Sequence, residues 1–105
     1  MQIVSPRVLE QVLNSGPAPR LVDVRDPWEF DLCRIAGSEN IPMAELMGRL
    51  DALGKEDPIV VICHHGARSQ QVAAYLDSLG YSNIMNLEGG VDAWSRVVDP
   101  EMPKY

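Results

Sequence analysis

The chain has 105 residues, with 9 lysines and arginines against 15 aspartates and glutamates and a formal net charge of -6. That length allows one small domain with one core, and the acidic surface argues against nucleic acid as a partner. No apolar run approaches the ~18 residues of a membrane helix, and two cysteines, Cys33 and Cys63, are too few for a disulfide scaffold or a four-cysteine zinc site.

The first five residues lack a basic region followed by an apolar stretch, so no signal peptide is expected. A cytoplasmic protein with reduced thiols is the expectation. Residues 2–4 are a short strand candidate. Ser5-Pro6 supplies an N-cap and a proline at the first helical position. Val8, Leu9, Val12 and Leu13 then repeat with helical spacing up to Asn14. Residues 15–19 form a turn-rich break. Residues 21–24 read as the second strand, and Asp26-Pro27 starts a short helix through about Leu32. Residues 39–41 are a brief extended piece closed by Pro42. Met43, Leu46, Met47, Leu50 and Leu53 define an apolar face on a third helix, ended by Gly54. A strand at 59–62 precedes a loop and an amphipathic helix carrying Val72, Ala73, Leu76 and Leu79, with Gly80 as its stop. Residues 83–86 are a last strand, and Gly89-Gly90 turns tightly into a short helix around Ala93 and Trp94. The tail, residues 99–105, holds two prolines and no periodicity, and is expected to lie extended on the surface. Alternating strands and helices predict one α/β domain over residues 1–105. Its mostly parallel central sheet has about five strands, with helices on both faces.

The run Ile59-Val60-Val61-Ile62-Cys63-His64-His65-Gly66-Ala67-Arg68-Ser69 carries the chemistry. A buried strand delivers a thiol to a helix start, where open α/β sheets place their sites. First-turn N–H groups have no intrahelical acceptor, so several can point at one anion. The backbone from His64 to Ser69 is placed to form such a cradle around the Cys63 sulfur. His64, His65 and Arg68 add positive potential, and Gly66 gives the conformational freedom a tight ring requires. Thiolates are good nucleophiles, so Cys63 is the candidate catalytic residue.

Other residues receive plainer readings. Arg68 is expected to contact an anion or support it electrostatically rather than pair with a surface carboxylate. Adjacent histidines seldom point into one coordination sphere and spacing offers no third ligand, so no metal site is expected. His64 and His65 instead line the pocket entrance. Ser69 is a hydrogen-bond partner at the helix start. Asp23 and Arg25 form an internal ion pair bracing the sheet edge. Cys33 is an inert thiol on a helix face rather than a partner for Cys63. Trp28 and Trp94 are core or groove aromatics. No nucleotide, flavin or metal motif is present, so no dissociable cofactor is expected.

Three segments together resemble the rhodanese-type sulfurtransferase domain. The first is Leu21-Val22-Asp23-Val24-Arg25-Asp26-Pro27-Trp28-Glu29-Phe30 with Ile35-Ala36-Gly37-Ser38-Glu39-Asn40-Ile41-Pro42. The second runs from Val60 to Ser69. The third is Leu79-Gly80-Tyr81 with Asn86-Leu87-Glu88-Gly89-Gly90-Val91-Asp92-Ala93-Trp94. One departure is Cys33-Arg34, where the family often has Gly-His. The resemblance implies a rhodanese-like fold and ping-pong covalent catalysis, with Cys63 attacking the outer sulfur of a donor such as thiosulfate and carrying it as a persulfide. A thiol, cyanide or a sulfur-relay protein would then accept the sulfur, and the domain would be a monomer or homodimer. Two rivals share the scaffold, a phosphatase or arsenate reductase and a non-catalytic partner-binding domain. Four residues separate Cys63 from Arg68. The phosphatases and arsenate reductases characteristically have one more, which makes a wider ring for a tetrahedral oxyanion. The shorter ring looks suited to a single sulfur atom.

Overall fold

A computed structural model describes residues 1–105. Five strands, β1 (Gln2–Val4), β2 (Arg20–Asp23), β3 (Glu39–Asn40), β4 (Ile59–Ile62) and β5 (Ile84–Leu87), alternate with α1 (Pro6–Asn14), α2 (Pro27–Leu32), α3 (Ala67–Ser78) and α4 (Gly90–Val97). The sheet order is β1-β5-β4-β2-β3, and every pairing is parallel. No helix is long and apolar enough to cross a membrane.

β4 lies at the centre, and all four of its residues are buried. This explains why it reads as an unbroken β-branched run rather than an alternating one. Its side chains still alternate between faces. Val60 and Ile62 join Leu9, Leu21, Trp94 and Met102 on one side. Ile59 and Val61 join Val22, Leu46, Val72 and Leu76 on the other, and Cys63 continues this second row. The parity of the strand therefore aims the thiol toward α3. The chain after β2 enters the first of these layers through Cys33 and Ile35. The chain after β4 enters the other through α3. Neighbouring strands thus diverge to opposite faces, opening the crevice in which such sheets hold their sites.

Local signals account for most boundaries. The Ser5 hydroxyl accepts from the Val8 N–H at 3.3 Å, capping α1 ahead of Pro6. Asn40 ties the short edge strand inward, donating to the carbonyls of Asp23 and Arg25 at 3.0 and 2.9 Å.

Two expectations need correction. Residues 43–53 do not form a third α-helix. They make a turn and a 3-10 segment, Leu46–Ala52, broken at Arg49, where φ is -127°. The Met43 N–H is committed to the Val24 carbonyl at 3.0 Å, and Gly48 is a poor helix former. Leu46 and Leu53 are buried, but Met47 stays exposed. The tail is not simply extended either. Met102 is buried, and its N–H donates to the Asp99 carbonyl at 3.1 Å, so the chain turns back on the domain.

Candidate active site

The N-terminus of α4 fixes the base of the loop. The Val91 N–H donates to the Cys63 carbonyl at 2.9 Å and the Asp92 N–H to the His64 carbonyl at 3.0 Å. Gly90, with φ of +59°, makes this approach possible, since a Cβ there would lie 2.3 Å from the Cys63 carbonyl oxygen. The Gly89-Gly90 pair is therefore more than a tight turn.

Cys63 is 1% exposed. Its sulfur accepts from the Gly66 N–H at 3.0 Å and lies 3.2 Å from Ser69 Oγ. Gly66 reaches this position with φ of +98°. The expected ring of amides is thus represented at Sγ itself by one N–H and one hydroxyl. The amides of Ala67, Arg68 and Ser69 occupy the first turn of α3, where no intrahelical acceptor exists. Ser69 is fully buried, and its hydroxyl also bonds Asn86 Oδ1, while Asn86 Nδ2 donates to the Gly66 carbonyl at 3.3 Å. A hydroxyl carries one proton. With a thiol at Cys63 that proton can serve Asn86. With a thiolate it can turn to sulfur.

Arg68 differs from expectation. Both terminal nitrogens bond Glu29, at 3.0 Å each, so the guanidinium is paired with a carboxylate rather than left open for an anion. Its hydrogen bonds to Glu29 outweigh burial and raise its pKa. Glu29 is filled on all sides. Oε1 also accepts from the Asp26 N–H at 3.0 Å, and Oε2 from the Tyr105 hydroxyl at 2.7 Å. The Arg68 bonds, with those from Tyr105 and Asp26, outweigh burial and lower the Glu29 pKa to about 2.

This has a direct consequence at low pH. A carboxyl held below its ordinary value near 4.5 contributes stability that is present above that value and lost as pH falls toward about 2. The shift corresponds to about 3 kcal/mol. Urea unfolding between pH 6 and pH 2 should show a loss of that order in the native protein, and a much flatter profile in Glu29→Gln.

Asp23 and Arg25 form a second ion pair, and both side chains are fully buried. Nε and Nη2 of Arg25 donate to the two carboxylate oxygens at 2.9 and 2.7 Å. Nη2 also donates to the Cys33 carbonyl at 2.6 Å, and Nη1 to the Tyr105 hydroxyl at 2.8 Å. Burial pulls the guanidinium down, but these bonds outweigh it and raise its pKa. Cys33 is buried at the end of α2 rather than on a helix face, with Sγ 3.8 Å from Arg25 Nη1. It belongs to the core layer opposite that of Cys63, and both thiols are free. Arg34, the other departure, lies over the Phe30 ring at 4.8 Å.

His64 is half-buried, and its ring stacks on Tyr105 at 3.8 Å with planes 4° apart. Burial, then the neighbouring His65, lowers its pKa. His65 is exposed, with Nδ1 3.7 Å from Asp92. The fold supplies the third candidate metal ligand that spacing did not, since one atom each from His64, His65 and Asp92 fall within 4.8 Å. The two imidazoles lie 3.9 Å apart with their planes tilted by 31°. Asp92 is also engaged by Arg96, whose hydrogen bond lowers its pKa.

Three residues at the site escaped the sequence reading. Asn86 had a signal, a polar residue inside an otherwise apolar strand. Glu29 stands in the first recognised segment but carried no assignment. Tyr105 had none.

The family model described as the rhodanese-like domain matches residues 5–97. The thiosulfate sulfurtransferase GlpE of Pseudomonas aeruginosa is 34% identical over 96 residues, covering 91% of this chain and 86% of that protein. The adenylyltransferase and sulfurtransferase uba4 of Ogataea parapolymorpha is 41% identical over 101 residues, but the chain spans only 26% of its length. Among solved structures, the human single-domain sulfurtransferase TSTD1 superposes with a TM-score of 0.84 at 32% identity, covering 92% of this chain and 97% of that one. A rhodanese-like domain protein from Staphylococcus aureus gives 0.86 at 28% identity, covering 100% and 99%. A thiol at the mouth of a helix on a five-stranded parallel sheet, the match over residues 5–97 and the near-full-length superpositions place this chain in the rhodanese-like domain family.

Proposed function

We propose that this domain transfers a sulfane sulfur from thiosulfate or a persulfide donor to a thiol or cyanide, through a persulfide on Cys63. The observation that carries the reading is the sulfur of Cys63, held between the Gly66 amide and the Ser69 hydroxyl at the start of α3. Relatives named as thiosulfate sulfurtransferases support it.

The Cys63 thiolate attacks the outer sulfur of thiosulfate. A bond from Sγ forms as the old S–S bond breaks, and that electron pair leaves with sulfite. The persulfide extends one sulfur beyond Sγ, and the first-turn amides of Ala67, Arg68 and Ser69, which have no intrahelical acceptor, are candidate donors for its charge. A thiolate or cyanide then attacks the terminal sulfur and Cys63 departs as a thiolate. The carrier is covalent, so the cycle needs no dissociable cofactor. Relatives that join adenylyltransferase and sulfurtransferase names support a sulfur-relay protein as one acceptor. Two free thiols suit a reducing compartment such as the cytoplasm.

The phosphatase reading fares worse. Its ring would need an open arginine for a tetrahedral oxyanion, and Arg68 is already bonded twice to Glu29. Intact-mass spectrometry tests the proposal. Exposure to thiosulfate should add one sulfur atom, which cyanide or a reducing thiol removes. No adduct under any donor would overturn sulfur transfer and favour a binding domain.

A further inference from the structure

The C-terminal segment reaches the reactive loop. Tyr105 stacks face to face on His64, the residue after Cys63. Its hydroxyl donates to Glu29, the partner of Arg68 at the far end of the same loop. One side chain therefore meets the first residue of the loop directly and Arg68 through Glu29.

The contact is anchored at several points. The Tyr105 hydroxyl also accepts from Arg25 at 2.8 Å, so it joins the two ion pairs. The Trp28 ring meets Tyr105 edge-on, with centroids 5.8 Å apart. Met102 is buried in the core layer beneath the segment. Meanwhile Cys63 is 1% exposed, and none of the surface cavities is lined by it. A donor as large as thiosulfate needs some group near the sulfur to move, and Tyr105, 37% exposed, is held beside the loop through its ring stack on His64 and its hydroxyl.

We propose that Tyr105 is a specificity-determining residue: it roofs the Cys63 loop and sets the size of the donor or acceptor that reaches the sulfur. This rests on Cys63 being the reactive thiol, as argued above. Small anions need a slight displacement of the ring. A bulky thiol or a protein tail needs the His64 stack and both hydroxyl bonds broken together. The reactive fraction for large reagents is then the fraction with the roof open.

Alkylation tests this without any sulfur transfer. Cys63 in the full chain is modified with iodoacetamide and with a maleimide bearing a bulky polyether, and the labelled thiol is identified by peptide mapping. Tyr105→Ala should raise the ratio of bulky to small labelling about tenfold, and Tyr105→Phe, which keeps the stack and loses the hydroxyl, should give a smaller rise. Transfer from thiosulfate to glutathione, relative to cyanide, should rise in the same order. An unchanged ratio in Tyr105→Ala would overturn the proposal. So would equal acceleration of both reagents, which signals general loosening of the loop. If Tyr105→Ala does not fold, Tyr105→Phe decides alone: a raised ratio supports the roof, and a flat one rejects it. Absence of a sulfur adduct in the mass experiment would instead count against the sulfur-transfer reading, whatever the labelling ratio.

Discussion

Cys63→Ser is expected to abolish thiocyanate formation from thiosulfate and cyanide, with a loss of at least about 10³-fold, while the protein stays folded. Sulfur chemistry sets the size of the effect. A serine hydroxyl at neutral pH supplies almost no alkoxide, and an oxygen–sulfur link is no substitute for a persulfide. The fold should tolerate the change, because the residue at this position faces polar partners on one side. A serine oxygen there can still accept from the Gly66 N–H and exchange a hydrogen bond with Ser69. Stability should therefore move by about 1 kcal/mol or less. The informative control is the other thiol. Cys33 sits in the opposite core layer and touches Arg25, not the loop. Cys33→Ala should still gain one sulfur on exposure to thiosulfate, and Cys63→Ser should not. Equal thiocyanate production by the native protein and Cys63→Ser would remove Cys63 from the mechanism.

What the sequence revealed of this site, and what it hid, follows from the range of each interaction. The strand at 59–62 and the helix start at Gly66 are local, dictated by a β-branched run and a loop glycine, so they can be read directly. The ion pair of Asp23 and Arg25 is nearly as local, since one residue separates the partners. The pairing of Arg68 is not legible, because its partner lies 39 residues away, on α2. Nothing in the spacing weighs Glu29 against an incoming anion. The 43–53 segment misled for a different reason. Its apolar spacing is helical, but a backbone bond to Val24 and a glycine at position 48 compete with the helix, and tertiary contacts decide. Tyr105 was the least legible. It follows two prolines in a stretch without periodicity, and its contacts are with residues 25, 28, 29 and 64.

The second large effect is expected at Arg25. Replacing it with methionine should cost about 3–5 kcal/mol, read as a lower urea midpoint at unchanged slope. The reason is what remains rather than what is removed. Asp23 is 0% exposed, and water cannot replace the three bonds its carboxylate receives from the guanidinium. The change also strips donors from the Cys33 carbonyl and the Tyr105 hydroxyl. Arg25→Lys should be nearly as damaging, because an ammonium cannot reproduce the planar fork that serves Asp23, Cys33 and Tyr105 together. If the stranded charge dominates, adding Asp23→Leu to Arg25→Met should recover about half of the loss. If the double variant is as unstable as the single one, the cost lies instead in the network around Cys33 and Tyr105. Labelling gives a second readout. A double variant that regains part of the stability still lacks the Arg25 bond to Tyr105, so its bulky-reagent labelling at Cys63 should stay raised even as its urea midpoint partly recovers.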